Sequence, residues 1–443
     1  MNTIIGMILA LGVIILVHEW GHFIAARFFG VRVDVFSIGF GPRLFGKKWG
    51  DTDWRLSALP LGGYVRMAGQ DITDIDSGEQ KPTGAHDELM SKKRWQRAVI
   101  SFAGPAVNLI FPILLLSGYY LISGQPHAAY LDKVPVIAGM AANSTASTAG
   151  FQPGDKIVSV NGTKVSTWDE AQKALYSGAL DRSAKIEVEA NGTTRLLDLN
   201  LKQDPYDHPL GYLPVAPIIG QVVPGKPASH AGLKTGDVVL SVDSQKIAYW
   251  DQFVDQVRGS GGKTLQLTVE RKGQPLTLSV TPKQGAADPS EKNFQIGIAP
   301  EVNLAYRSVK PREAVKSATL QTGDIIVQTF SVLSKLFSGR VSVKELQSVV
   351  GISRAAGEAV AMGSFAIISF MALISVNLGI LNLLPIPILD GGHILLLSLE
   401  GLRRRDFSLA FKERFIQVGL VFLLVLFAYV MYNDVVRQLP IHS

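Results

Sequence analysis

The chain has 443 residues, enough for about two to four domains. Hydrophobic residues make up 47% and charged residues 18%, and the mean hydropathy is +0.22; this balance argues against a disordered chain and against a wholly soluble enzyme, and a partly membrane-embedded one is expected. There is no cysteine, which rules out disulfides, thiolate zinc sites, iron–sulfur clusters and cysteine nucleophiles, so any metal must be held by nitrogen and oxygen. The net charge of +6, from 43 basic and 37 acidic residues, is too slight and too scattered for nucleic-acid binding.

Four stretches are predicted to span a membrane: Ile4 to Phe29, Ala98 to Ile122, Ala359 to Leu389 and Phe415 to Tyr432. The first carries His18, Glu19, His22 and Arg27, which is anomalous for a span. It is not read as a signal peptide, because no basic residue precedes it and cleavage near Ala25 would discard that cluster. Arg27 and Arg32, then Lys92 to Arg97, then Arg403, Arg404, Arg405, Lys412 and Arg414 all flank span ends on one side. That side is expected to be cytoplasmic, with both termini and the long loop from Gly124 to Glu358 outside.

The long loop contains a duplication. Ala149 to Gly162 aligns with Ala231 to Ser244 at an offset of 82 residues, with six of fourteen positions identical, and Trp168-Asp169 matches Trp250-Asp251 in the same register. A turn, Gly-Asp, then alternating β-branched residues reads as a turn into a half-buried strand. Both copies resemble bacterial PDZ domains, which bind an extended peptide at a sheet edge or serve as spacers. The sequons at Asn143, Asn161 and Asn191 are taken as chance. Beyond the repeats, Arg312 to Phe337 is too short and too polar to span. An amphipathic helix on the outer membrane surface is expected there, with packing against the repeats as the alternative.

The chemistry begins at His18-Glu19-Trp20-Gly21-His22. Residues four apart on a helix share a face, so two imidazoles there can grip one tetrahedral zinc. Glu19 is placed beside them to take a proton from an attacking water. Ionisable groups inside a span are costly unless partnered, so three in five residues point to function. The rise of about 1.5 Å per residue puts them nearer the cytoplasmic face. A third ligand is expected from another span. Asp390 is the first acid after 31 uncharged residues, within Asn382-Leu-Leu-Pro385-Ile-Pro387-Ile-Leu-Asp390-Gly-Gly-His393, where prolines and glycines interrupt helix. Two histidines and one carboxylate are a catalytic zinc set; His393 is the competitor, better suited to a supporting place.

These motifs together resemble the site-2 proteases, and within that family the bacterial branch acting in sigma-E signalling. The carriers are the first-span His-Glu-x-x-His, the Asn382 to Gly391 run and the tandem PDZ-like repeats. Phe36 to Pro42 and Pro60 to Val65 are similar to the family's membrane re-entrant β segments, and Ala103 to Asn108 to its second-span motif. One departure is Ser348 to Ile352, where relatives carry Ser-Gly-Pro-Ile. The resemblance implies a polytopic membrane zinc endopeptidase cutting single-span proteins within the bilayer. Implied substrates are a pre-trimmed anti-sigma factor and remnant signal peptides, with the PDZ pair as a size gate. It also implies substrate contacts by Asn382, Pro385, and the glycines Gly39, Gly41, Gly62 and Gly63, whose segments would offer strand edges.

The expected plan is four transmembrane helices with a re-entrant β segment and two α/β PDZ domains. Residues 1–30 hold the first span, 31–97 the β region, 98–123 the second span, 124–215 and 216–305 the PDZ domains, and 306–358 the amphipathic linker. The third segment is 359–400, a cytoplasmic loop 401–414, and the fourth span with its tail 415–443. The rivals are a membrane-tethered PDZ adaptor and a metal-ion transporter; a transporter would place its repeat in the spans rather than outside them.

Overall fold

A computed structural model describes residues 2–70, 83–177, 183–201, 208–285, 293–338 and 349–438. The chain forms two compact units, Met1–Gln125 with Ser308–Ser443, and Pro126–Arg307.

In the first unit, α1 (Asn2–Phe28) is an uninterrupted apolar helix that stops at Gly30, where φ is +67°. β1 (Val33–Trp49) and β2 (Thr52–Met67) then form an antiparallel hairpin turning at Gly50 and Asp51. Both strands bend, so Val35 to Ile38 is paired on one side with Asp53 to Leu56 and on the other with Gly63 to Arg66. The bends fall at Gly39, Gly41 and Gly62, with φ of 90°, 86° and 143°, a region that side chains rarely adopt. The outer edges of this curled sheet are therefore the Arg43 to Trp49 stretch and the Gly63 to Met67 stretch. Trp20 and Phe23 of α1 pack on Phe36 and Trp54 with ring centroids 5.2–5.9 Å apart, which docks the sheet against the helix. α2 (Arg94–Ser123) follows, with Pro105 and Pro112 inside it. Where α1 and α2 cross, a side chain at Gly21 would lie 2.5 Å from the Ala103 carbonyl oxygen. The glycine of the His-Glu-x-x-His run is thus a packing requirement.

β3 (Gln125–Ala128) leads into the second unit, which holds α3 (Thr145–Ala149), β4 (Lys156–Val160), β5 (Thr163–Lys164), α4 (Trp168–Ser177), β6 (Ser183–Ala190) and β7 (Thr193–Asn200). After these come β8 (Ile219–Val222), α5 (Pro227–His230), β9 (Val238–Val242), β10 (Gln245–Lys246), α6 (Trp250–Gly259), β11 (Leu265–Arg271) and β12 (Gln274–Val280). β13 (Lys283–Gln284), β14 (Phe294–Gln295), β15 (Ile298–Pro300) and β16 (Leu304–Arg307) complete it. The two repeats form sheets of the same order, β5-β4-β6-β7 and β10-β9-β11-β12. Each has its own core, around Trp168, Ile157 and Ile186 in one and Phe253, Val239 and Leu267 in the other. The shared Gly-Asp also has a structural cause. Asp155 pairs with Arg195 at 2.6 Å and Asp237 with Arg271 at 2.7 Å, tying each turn to its sheet. Asn143, Asn161 and Asn191 all have positive φ, so the sequon asparagines sit where a left-handed turn favours that residue.

Returning to the first unit, α7 (Pro311–Phe337) is a helix, as expected, and one face of it packs on α2. Ala314, Ala318 and Thr322 form a buried stripe at four-residue spacing. The alanines pack with Leu116, Tyr119 and Tyr120 of α2 and with Ala372 farther along the chain. Thr329 donates to Asn377 at 2.7 Å, and Tyr120 donates to Gln321. Small residues let helix backbones approach closely, a signal weaker in the sequence than the apolar cluster, of which Val327 and Phe330 stay exposed.

α8 (Val349–Met362), α9 (Ser364–Asn382), α10 (Asp390–Arg403) and α11 (Leu409–Gln438) complete the unit. The uncharged run expected as one span is divided: α8 ends before Gly363, whose φ is +106°, and α9 ends at Asn382 ahead of two prolines. Four helices are long and apolar enough to cross a membrane, at Leu11–Phe28, Arg94–Ser123, Ser364–Asn382 and Ala410–Tyr432. On α11, Val418, Val421, Leu424 and Val425 are all more than half exposed, as a lipid-facing surface requires. Of the departure at Ser348 to Ile352, Ser348 lies outside the described residues, and the rest begins α8.

Candidate metal and catalytic centre

Three elements meet at one point. His18 and His22 project from the same face of α1, and Asp390 opens α10, where a negative charge suits the helix N-terminus. The Nε2 atoms of the histidines are 3.2 Å apart, and Asp390 lies 3.3 Å from His18 and 3.4 Å from His22 through separate oxygens. Zinc ligands at about 2.0–2.1 Å on a tetrahedron stand about 3.3–3.4 Å from one another. The three side chains thus bring two nitrogens and a carboxylate to spacings close to those of a zinc site, and they are the only such group of three among the described residues. His393 lines the same cavity but is not in the group.

The backbone shapes the site closely. A side chain on Gly391 would lie 2.3 Å from the carbonyl oxygens of Leu383 and Leu384, and one on Gly392 2.3 Å from that of Ile386. The two glycines let α10 start directly against the preceding turn. Ile388 has φ of +81°, a strained conformation for a β-branched residue, two positions before Asp390.

The histidines are oriented from behind. His22 Nδ1 donates to the Ile100 carbonyl at 2.8 Å, which leaves Nε2 a lone pair for metal. His18 Nδ1 is 3.2 Å from the amide of Asn108, whose Oδ1 is buried without a partner among the described residues. An amide turned to present Oδ1 accepts the His18 Nδ1 proton, satisfies that oxygen and frees Nε2 for metal. Asn108 was only part of a motif in the sequence; its place behind His18 is tertiary information. Replacing Asn108 with alanine is expected to weaken zinc affinity about 10–100-fold, measured by competition with a chelator of known affinity. Unchanged affinity would show that the amide does not orient the ring.

Glu19 lies in the cavity beside the ligands, and the backbone N–H of Val65, on the free side of the β2 edge, donates to it. A side chain on Gly63 would stand 3.7 Å from Glu19 Cγ. The cavity measures about 400 Å³ and is lined by Tyr64, Val65 and Met67 on the strand side. Asn382 reaches the centre, its Nδ2 3.4 Å from His18 Nε2. The structure thus brings Gly63 to Glu19 and Asn382 to His18. Gly39, Gly41 and Gly62 stand at the bends of the sheet, and Pro385 lies in the turn between α9 and α10.

Apolar spanning helices around two histidines and a carboxylate define a membrane-embedded metalloprotease. The family comparison is in accord: residues 6–426 match Peptidase family M50, and the chain belongs to that family of zinc metalloproteases. It is 36% identical to the regulator of sigma-E protease RseP of Escherichia coli, covering 97% of each chain. It is 32% identical to a putative zinc metalloprotease of Neisseria meningitidis, covering 99% of this chain and 100% of that one. A solved PDZ domain of a Listeria monocytogenes SdrC-like protein matches 20% of this chain and 87% of its own length, at 17% identity and a TM-score of 0.17.

Proposed function

We propose that the protein hydrolyses a peptide bond within the membrane segment of single-span proteins. The observation that carries this reading is the preformed ligand triangle of His18, His22 and Asp390, with Glu19 and a strand edge facing the same cavity. Zinc, when bound, polarises the scissile carbonyl and makes water acidic enough to ionise near neutral pH. Glu19 takes the proton from the attacking water and passes it to the leaving amine. A helical substrate must unwind to be cut, and its freed backbone groups pair with the Gly63 to Met67 edge as an added strand. Gly63, lacking a side chain, lets that strand approach Glu19. Asn382 donates its amide to the substrate backbone near the metal. Asn382→Ala is expected to lower kcat/KM about tenfold or more with zinc retained, read from steady-state kinetics beside metal analysis.

The relative named as a sigma-E regulator supports an anti-sigma factor as substrate, with remnant signal peptides as a second class. The basic loops support a topology with the α10–α11 connection and the catalytic centre towards the cytoplasm of a bacterial inner membrane, and both termini and the PDZ-like pair outside. The pair then acts as a gate that admits substrates already trimmed of bulky outer domains. The duplication lies in the β-rich unit and not among the spanning helices, which weighs against transport. The test is cleavage of a trimmed single-span reporter by purified, zinc-loaded protein in detergent, with the cut mapped by mass spectrometry. A cut inside the apolar segment supports the reading, whereas zinc-loaded protein that cuts no trimmed reporter favours a membrane-tethered PDZ adaptor.

A further inference from the structure

The catalytic cavity has a second polar end that the chemistry above does not use. Along α10, Asp390, His393, Leu397 and Glu400 all line it, at spacings of three, four and three residues. Glu400 is fully buried. Its Oε1 accepts the backbone N–H of Phe407 at 2.9 Å and pairs with Lys412 at 3.2 Å. Its Oε2 has no hydrogen-bond partner among the described residues. Both donors therefore converge on one oxygen and leave the other bare. The other cation lining this end, Arg97, directs Nη1 at the Met90 sulfur, 3.4 Å away, rather than at Glu400.

A buried carboxylate oxygen without a donor is destabilising, so its persistence in a cavity points to a donor that arrives with a ligand. Ten residues of helix separate Asp390 from Glu400, about 15 Å. An extended chain rises about 3.3 Å per residue, so a substrate strand leaving the metal reaches Glu400 after about four or five residues. The neighbouring loop, with Arg403, Arg404 and Arg405, marks this as the cytoplasmic end. The cytoplasmic flank of a single-span protein is itself rich in lysine and arginine by the same rule.

We propose that Glu400 is a specificity-determining subsite that takes a lysine or arginine of the substrate, about four or five residues from the scissile bond on its cytoplasmic side. This rests on the proteolytic function proposed above. The test uses single-span reporters identical except for one position, scanned from three to seven residues beyond the cut and occupied by lysine, glutamine or glutamate. Wild type is expected to prefer lysine over glutamine about tenfold in kcat/KM at one position, mainly through KM, with glutamate poorest. In Glu400→Gln that ratio falls to about one and the penalty on glutamate is relieved. Because the ratio is taken within one preparation, a lower active fraction does not change it; Glu400→Asp, which retains the charge, is expected to retain the preference. Wild type cutting all reporters equally, or a preference surviving Glu400→Gln, overturns the subsite alone. Wild type cutting none of them overturns the protease reading beneath it.

Discussion

Glu19→Gln is expected to abolish cleavage while leaving zinc in place. The substitution keeps the shape of the side chain and still offers an oxygen to the Val65 N–H that Glu19 accepts. The ligand triangle of His18, His22 and Asp390 is untouched, so the metal content should match wild type. What disappears is the only group in this arrangement proposed to accept the proton of the attacking water. Removing a general base typically costs about 10²–10⁴-fold, and here the same group also serves the leaving amine, so a loss of about 10³-fold or more is expected. Single-turnover cleavage of the reporter, with zinc measured in the same sample, decides it. A zinc-loaded variant within tenfold of wild type would place the base elsewhere, and loss of zinc would make Glu19 part of the metal site.

Gly104→Val is expected to empty the site by displacing His22. The first carbon of any side chain at position 104 would lie 2.3 Å from His22 Nε2, the ligand atom itself. The ring cannot retreat without surrendering its 2.8 Å hydrogen bond to Ile100, and α1 can move away only by opening its close contact with α2 at Gly21. Zinc should fall from about one per chain towards zero, and cleavage by about 10²-fold or more, because a displaced imidazole breaks a three-ligand set. Gly118→Ala is the control: it lies in the same helix with nothing within 4 Å of the added carbon, and it should keep both metal and activity. Full zinc binding by Gly104→Val would contradict the packing of His22 described above.

Much of this site was legible in the sequence because its parts are local. His18 and His22 share a face through helical periodicity alone, and Glu19 comes with them. Asp390 stood out as the first acid after a long uncharged run, in a stretch whose prolines and glycines forbid a continuous helix. The duplication at an offset of 82 residues foretold two sheets of the same order. The boundaries of the third span were less legible, since hydropathy does not register the break at Gly363.

Residue types and spacings by themselves thus determined the class of chemistry, the membrane setting and the repeat, because periodicity, hydropathy and ligand type act along the chain. Tertiary structure alone decided which groups complete the site. Asn108 and the Ile100 carbonyl orient the histidines across a helix crossing, and that contact depends on how closely Gly21 and Gly104 let two backbones approach. The same holds for Gly63, chosen over Gly39, Gly41 and Gly62 by the register of a bent hairpin, and for α7, drawn onto α2 by a stripe of small residues. Close packing depends on shape at a distance in sequence, and no local pattern encodes it.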